Sequence, residues 1–219
     1  AVNAALEVAE TLSGQRPGDT GWLGRLAASR EWMGDWVASG SGIEAALRAY
    51  EEAREVWERM LAEDPDGRSA AFGYAENYSG TAHLLLLQWD LDGALAAVRR
   101  AVELQERQVE IAPGDREAEC RLWRIHRQLG DVLQAQGKRS EALREHRGAA
   151  YAFERLAEQA PDSAIVQEHL LLSCCRVAEL TADGRRSEAR RWCQKAIAAL
   201  TRMEQAGMHI RPDQRASVW

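Results

Sequence analysis

Apolar residues recur at helical spacing in successive blocks along this chain, and this pattern predicts helices. In the block after Pro113, for example, Leu122, Leu129 and Leu133 are separated by seven and four residues. That spacing places apolar side chains on one side of an α-helix. Polar breaks separate the blocks. The pattern predicts helices over 20–39, 43–63, 68–88, 93–111, 116–136, 140–159, 163–182 and 187–206.

Prolines divide the chain at a regular interval. Pro17, Pro65, Pro113 and Pro161 follow one another at intervals of 48 residues, each within a polar break. Proline cannot continue a helix, and the Asp or Ser that follows it can cap the next one. Each period therefore contains two helices, which we name helix A and helix B in chain order.

Small residues also recur with this period. Two antiparallel helices can pack tightly only where their side chains are small, so a column of small residues indicates a helix–helix contact. In the fourth period the second and third columns come one residue early, which indicates a deletion in the turn before them. The columns are Gly34, Ala82, Gly130 and Ala178; Ala46, Ala94, Ala142 and Ala189; and Ala53, Ala101, Ala149 and Ala196.

Composition and charge narrow the classes of function. Strong helix formers are abundant and β-branched residues are scarce, which predicts an all-α fold. The net charge of −6 argues against a nucleic-acid partner, and no apolar run approaches the roughly 20 residues that a membrane span needs. Residues 1–113 carry 19 acidic and 10 basic residues, whereas residues 114–219 carry 15 and 18. Such polarity favours oriented contacts with partners.

The third period resembles a tetratricopeptide repeat. The resemblance rests on Leu129–Leu133, Gly137, Glu141–Leu143, Ala149 and Pro161. It implies a right-handed α-α superhelix, a solenoid of antiparallel helix pairs that binds other proteins. The usual period is about 34 residues, so each helix here is about two turns longer. Repeats of this length resemble those attached to bacterial signalling proteins such as Ser/Thr kinases, caspase-like proteases or NTPase switches.

The resemblance also divides the chain. Residues 1–16 fit helix B of a preceding partial repeat, because Ala5 stands one period before Ala53. The expected divisions are that partial repeat over 1–16, four repeats over 18–65, 66–113, 114–161 and 162–209, and a tail over 210–219.

Catalytic and metal-binding motifs are missing from the sequence. No glycine-rich phosphate loop, GxSxG or HExxH motif occurs. Cys174 and Cys175 point about 100° apart on a helix, which is a poor metal edge. We interpret Cys174 and Cys193 as core residues and Cys175 as facing the groove. The sequence therefore predicts no enzyme, no metal and no cofactor, and cysteines without disulfide spacing favour the cytoplasm.

Histidines and tryptophans suggest further core positions. His126 and His146 stand at core columns, and Trp57 lies on the inner stripe of helix B. Trp32 and Trp36 are four residues apart on one helix. They either pad the junction with the helix over 1–16 or anchor a partner, since Trp is common at interface hot spots.

The resemblance also implies the site, because helix A lines the concave groove in this family. In the chaperone-binding members, Lys and Asn of the first repeat clamp a carboxylate, but Glu31 and Asp35 occupy those places here. A carboxylate clamp is not expected there. The candidate groove residues are Glu31, Asp35, Glu76, His83, Leu86, Leu87, Arg124, Arg127 and Asp131.

These residues predict a partner with basic and apolar portions, which is a protein, a peptide or another domain of the same polypeptide. One alternative is that the charges only solvate an open face. The array would then be a structural or regulatory spacer that packs against its own parent protein or another copy. A hidden enzymatic or metal site is a third hypothesis.

Overall fold

Consecutive α-helices joined by short turns make up this chain in the computed structural model, which describes residues 2–15, 19–38 and 42–208. No strand occurs within those ranges, so the predicted all-α class is confirmed. Each predicted helix lies within two residues of an observed one. The helices are α1 (Val2–Gln15), α2 (Thr20–Ala38), α3 (Ile43–Glu63), α4 (Arg68–Leu87), α5 (Leu91–Ile111), α6 (Arg116–Ala135), α7 (Arg139–Gln159), α8 (Ala164–Thr181) and α9 (Arg186–Gln205).

The chain forms two compact units, Ala1–Pro113 and Gly114–Trp219. In the first unit, each helix from α1 to α5 packs on the next, and the A helices α2 and α4 also touch each other. In the second unit, α6 to α9 follow the same order, and the A helices α6 and α8 touch. The A helices are therefore α2, α4, α6 and α8, and the B helices are α1, α3, α5, α7 and α9. The finer division into repeats stays a prediction.

The prolines lie between helices, as predicted. Pro65, Pro113 and Pro161 each stand in the break between a helix B and the following helix A. Pro17 and the tail over 210–219 are outside the described residues.

Side chains that follow the prolines start the A helices. The Asp115 carboxylate accepts hydrogen bonds from the first turn of α6, including one of 2.9 Å from the Glu117 N–H. Asp19 and Ser163 cap α2 and α8 in the same way. Gly67 holds the equivalent place before α4 and offers no side-chain cap. At three of the four A helices, a capping side chain two residues after the proline thus marks the start.

The core of each unit lies between its A and B helices. Val56 and Met60 contribute to it in the first unit, and Leu171 and Met203 in the second. The residues of the small-residue columns are buried where helices pack on each other, except Ala189, which is half-buried. The members with at most 1% exposure are Ala46, Ala53, Ala82, Ala94, Ala101, Ala142, Ala149 and Ala196.

Replacing Ala101 by Leu should destabilise the protein by about 1–3 kcal/mol, because the larger side chain overpacks a closed contact. Ala96 lies on the same helix and is exposed. Ala96→Leu is therefore a matched control and should change the free energy of unfolding by less than about 0.5 kcal/mol. Urea denaturation of both variants measures the difference. Equal losses would show that small residues at these columns do not mark close contacts.

Candidate functional site: the exposed face of the A helices

One face of α4 carries the predicted groove residues of the second repeat. Helical geometry places Glu76, His83 and Leu87 within about 40° of one another. His83 is exposed and Leu87 is 53% exposed, whereas Leu86 points away from them and is half-buried. Together with α2, this surface is the A face of the first unit. It comprises Glu31, Asp35, Glu76, His83 and Leu87, and Leu86 lies at its border.

Glu31 is a structural acceptor that joins three helices. Its Oε1 accepts hydrogen bonds of 2.9 Å from Trp57 Nε1 on α3 and 2.9 Å from Asn77 Nδ2 on α4. The Trp57 ring lies so close to Gly73 that a Cβ there would be 2.5 Å from it. Burial raises the pKa of Glu31, although the Asn77 and Trp57 bonds oppose that rise. Glu31 is therefore not a freely solvated charge.

Asp35 is held by a second ring from α3. The Tyr50 hydroxyl donates a 2.7 Å hydrogen bond to Asp35 Oδ1. A Cβ at Gly34 would lie 2.9 Å from the Tyr50 ring, and one at Gly80 would overlap it. Burial and the hydrogen bond to Asp35 raise the pKa of Tyr50, so the hydroxyl stays a donor. The ring thus passes between α2 and α4 to reach the A face.

The A face of the second unit is built around Asp131. Arg127 Nη1 lies 3.7 Å from Asp131 Oδ2, and Arg176 Nε on α8 lies 3.1 Å from Oδ1. Burial lowers the pKa of Arg127, while the charge of Asp131 opposes the change. Arg124 is half-buried on the same helix. The residues that the sequence predicted for this part of the groove lie close together, but they carry charges of both signs that pair with each other.

His146 occupies the column that Tyr50 occupies in the first repeat. Both stand 33 residues after a proline. A Cβ at Gly130 would be 2.7 Å from the His146 ring, and burial lowers the pKa of His146 to about 4. The predicted core position is confirmed for this neutral ring. His126 is only half-buried, with Nδ1 3.0 Å from Glu145 Oε2.

Both A faces contain hydrogen-bonding and ion-pairing side chains that the repeat pattern did not predict. Trp57 is buried, as predicted, but its bond to Glu31 was not expected. Arg176 stands one position beside the groove columns of the family and was missed. A search for polar residues that follow the proline at matched distances could have found Tyr50 and His146.

The exposure of Trp32 and of two cysteines differs from what the sequence predicted. Trp32 is 68% exposed, so padding of the helix junction is wrong for it; the Trp36 side chain is outside the described residues. Cys193 is exposed and Cys175 is buried, the reverse of the expectation. No further A helix covers Cys193 among the described residues. Cys175 stands 14 residues after a proline, as Glu31 does, but its short side chain does not reach the surface.

The described ranges 2–15, 19–38 and 42–208 contain neither a metal-binding cluster nor a membrane-spanning helix. No three His, Cys, Asp or Glu side chains there are grouped so that they could hold a metal ion. None of the helices in those ranges has the length and apolar character needed to cross a bilayer.

Solved structures share this arrangement of helices. A protein from Podospora anserina with nearly identical TPR-like repeats, assigned as a kinesin light chain, has a TM-score of 0.55 at 14% identity, over 93% of this chain and 89% of that one. The fold is TPR-like. MamA has a TM-score of 0.50 at 16% identity over 93% and 91% of the two chains. BtubC from P. vanneervenii has a TM-score of 0.50 at 17% identity, over 96% of this chain and 92% of that one.

Comparisons at the level of sequence add no family. No family model matches the chain, and no curated protein matches it. Identities this low show the fold alone, so the bacterial signalling context stays a prediction.

Glu31→Gln should raise the melting temperature at neutral pH. Folding raises the pKa of Glu31, so the wild type loses stability as the pH rises from the ordinary carboxyl pKa through the raised one. Glutamine keeps an acceptor oxygen without the charge. The gain should therefore grow with pH and vanish below about pH 4, where the carboxyl is neutral in both states.

Melting curves from pH 3 to 8 measure this difference, and Glu55→Gln, at an exposed position of α3, is the control. A difference in melting temperature that stays constant across that range would contradict the account of Glu31.

Cys193 should react first with a thiol reagent under native conditions. Burial raises the pKa of Cys174 to about 12 and that of Cys175 to about 11, so both thiols stay protonated and covered. Timed maleimide labelling followed by peptide mass spectrometry ranks the cysteines. Labelling of Cys175 as fast as Cys193 would contradict the burial described above.

Proposed function

We propose that this chain is a protein-interaction scaffold whose A faces bind a peptide or helix of a partner protein. The observation that carries the proposal is Leu87, which is 53% exposed at the end of α4 and lies on the same side of that helix as Glu76. An exposed apolar side chain with a charged surround is typical of an interaction site. The TPR-like fold of the neighbouring structures supports the same class of function.

Two carboxylates on the A face of the first unit are held in place before any partner arrives. Glu31 is bound by Trp57 and Asn77, and Asp35 by Tyr50. These side chains lose little conformational freedom when a partner docks, so less of the binding free energy is spent on ordering them.

Charge indicates the chemistry of the partner. Residues 31–38 and 76–93 contain no Lys or Arg and five carboxylates. A basic segment with apolar residues complements this surface, and its association should weaken as salt increases. The second unit offers Arg124, Arg127 and Asp131. Because Asp131 is close to two arginines, we propose that this face receives polar residues of either sign.

We further propose that the chain works in the cytoplasm as part of a bacterial signalling protein. The support is the long period of the repeats together with cysteines that lack disulfide spacing.

Leu87→Ser should weaken binding of the natural partner at least about tenfold, because it removes the apolar anchor. The melting temperature should stay within about 2 °C of wild type, since the site is exposed. Ile111→Ser is the matched control, at a residue of the same unit that is 56% exposed on α5.

Quantitative capture from a lysate compares the three proteins, and titration with the captured partner then measures the affinities. If the two variants capture the same proteins as wild type, the groove is not the site, and the chain is better described as a spacer.

A further inference from the structure

The turn after α4 contains a tryptophan in a backbone conformation that favours glycine. Trp89 has a φ of 61°. Its N–H donates to the Leu86 carbonyl at 3.1 Å, and the Asp90 N–H donates to the Leu85 carbonyl at 3.0 Å. These two bonds form a Schellman motif, in which the residue just past the helix end is left-handed. A side chain at that residue is strained.

Glycine fills the same place at two other helix ends. Gly137 after α6 has a φ of 76°, and the N–H of the next residue bonds to the Leu133 carbonyl at 2.9 Å. Gly207 after α9 has a φ of 65° with an equivalent bond to Met203. Trp89 and Gly137 also stand at the same distance, 24 residues, after a proline. The turn geometry therefore does not require the ring.

Burial does not explain the ring either. Trp89 is 76% exposed, so the protein gains little hydrophobic stabilisation from the largest side chain at a strained position. Leu87, two residues earlier, is 53% exposed. Backbone strain combined with exposed apolar surface points to a role outside folding.

We propose that Leu87 and Trp89, at the turn between α4 and α5, form a docking knob for a basic, partly apolar segment of a partner protein. This inference rests on the proposed function and deepens it by adding Trp89 to the binding site. Asp90 and Asp92 follow the ring in the sequence, and the Asp90 carboxylate accepts a 3.0 Å hydrogen bond from the Gly93 N–H. An Arg or Lys of the partner stacks on the indole and pairs with a carboxylate, while its apolar residues cover Leu87.

The acidic surroundings select among the possible occupants. Anionic lipid headgroups are repelled by Asp90 and Asp92, so a membrane surface does not fit. Trp at an interface centre with charged residues around it matches the composition of protein–protein hot spots.

Trp89→Gly separates binding from folding. Glycine relieves the strain, so the melting temperature should stay level or rise, whereas the affinity should fall at least about tenfold. Trp89→Phe keeps an aromatic ring at the strained position and should bind within about threefold of wild type. Ile111→Ser again serves as the control for an exposed apolar residue of the same unit.

The probe is a labelled 16-residue amphipathic peptide of Leu and Arg, followed by fluorescence anisotropy. A peptide with Glu in place of every Arg is the matched probe and should not bind. Failure of wild type to bind the Arg peptide at about 1 mM would overturn the basic partner. Equal binding by Trp89→Gly, or a lowered melting temperature of that variant, would overturn the role of the ring.

The same variants separate this inference from the proposed function. If Leu87→Ser loses the natural partner and Trp89→Gly keeps it, the scaffold stands and the knob fails. If neither variant loses it, the proposed function fails as well. Sedimentation of the wild type tests whether the occupant is a second copy of this chain. A dimer that Trp89→Gly abolishes would show that it is, and would overturn the proposal of a separate partner.

Discussion

Alanine and glycine at fixed positions let the helices of each unit approach closely, and the other features of the structure depend on that approach. The alanine columns bring helix A and helix B together. Gly34 and Gly80 leave the space through which the Tyr50 ring passes between two A helices. Its hydroxyl then reaches Asp35. The chemistry of the A face is thus partly supplied from the layer behind it.

The helices could be predicted from sequence because their signals are periodic and local. Proline ends a helix, the next Asp or Ser starts one, and small residues mark contacts, each at a fixed distance in the 48-residue period. The bonds of Glu31 could not be predicted. They join residues 26 and 46 positions apart, and their columns hold other residue types elsewhere. The exposure of Cys193 depends on what packs over it, which periodicity alone does not contain.

On the first A face, Glu31 is subject to two demands that oppose each other. Burial raises the pKa of Glu31, so its charge works against folding at neutral pH. The same charge orients a basic partner in the function we propose. Hydrogen bonds from Trp57 and Asn77 lessen the penalty without removing it. Such a compromise between stability and binding is common at functional surfaces.

The turn at Trp89 also has a consequence in the genetic code. The tryptophan codon differs from a glycine codon by a single nucleotide. Random mutation therefore offers the less strained residue in one step, and the φ of 61° makes that step favourable for folding. A lineage in which the ring had no task would readily drift to glycine. If the ring has the docking role that we propose, tryptophan at this turn should be retained wherever its partner is retained.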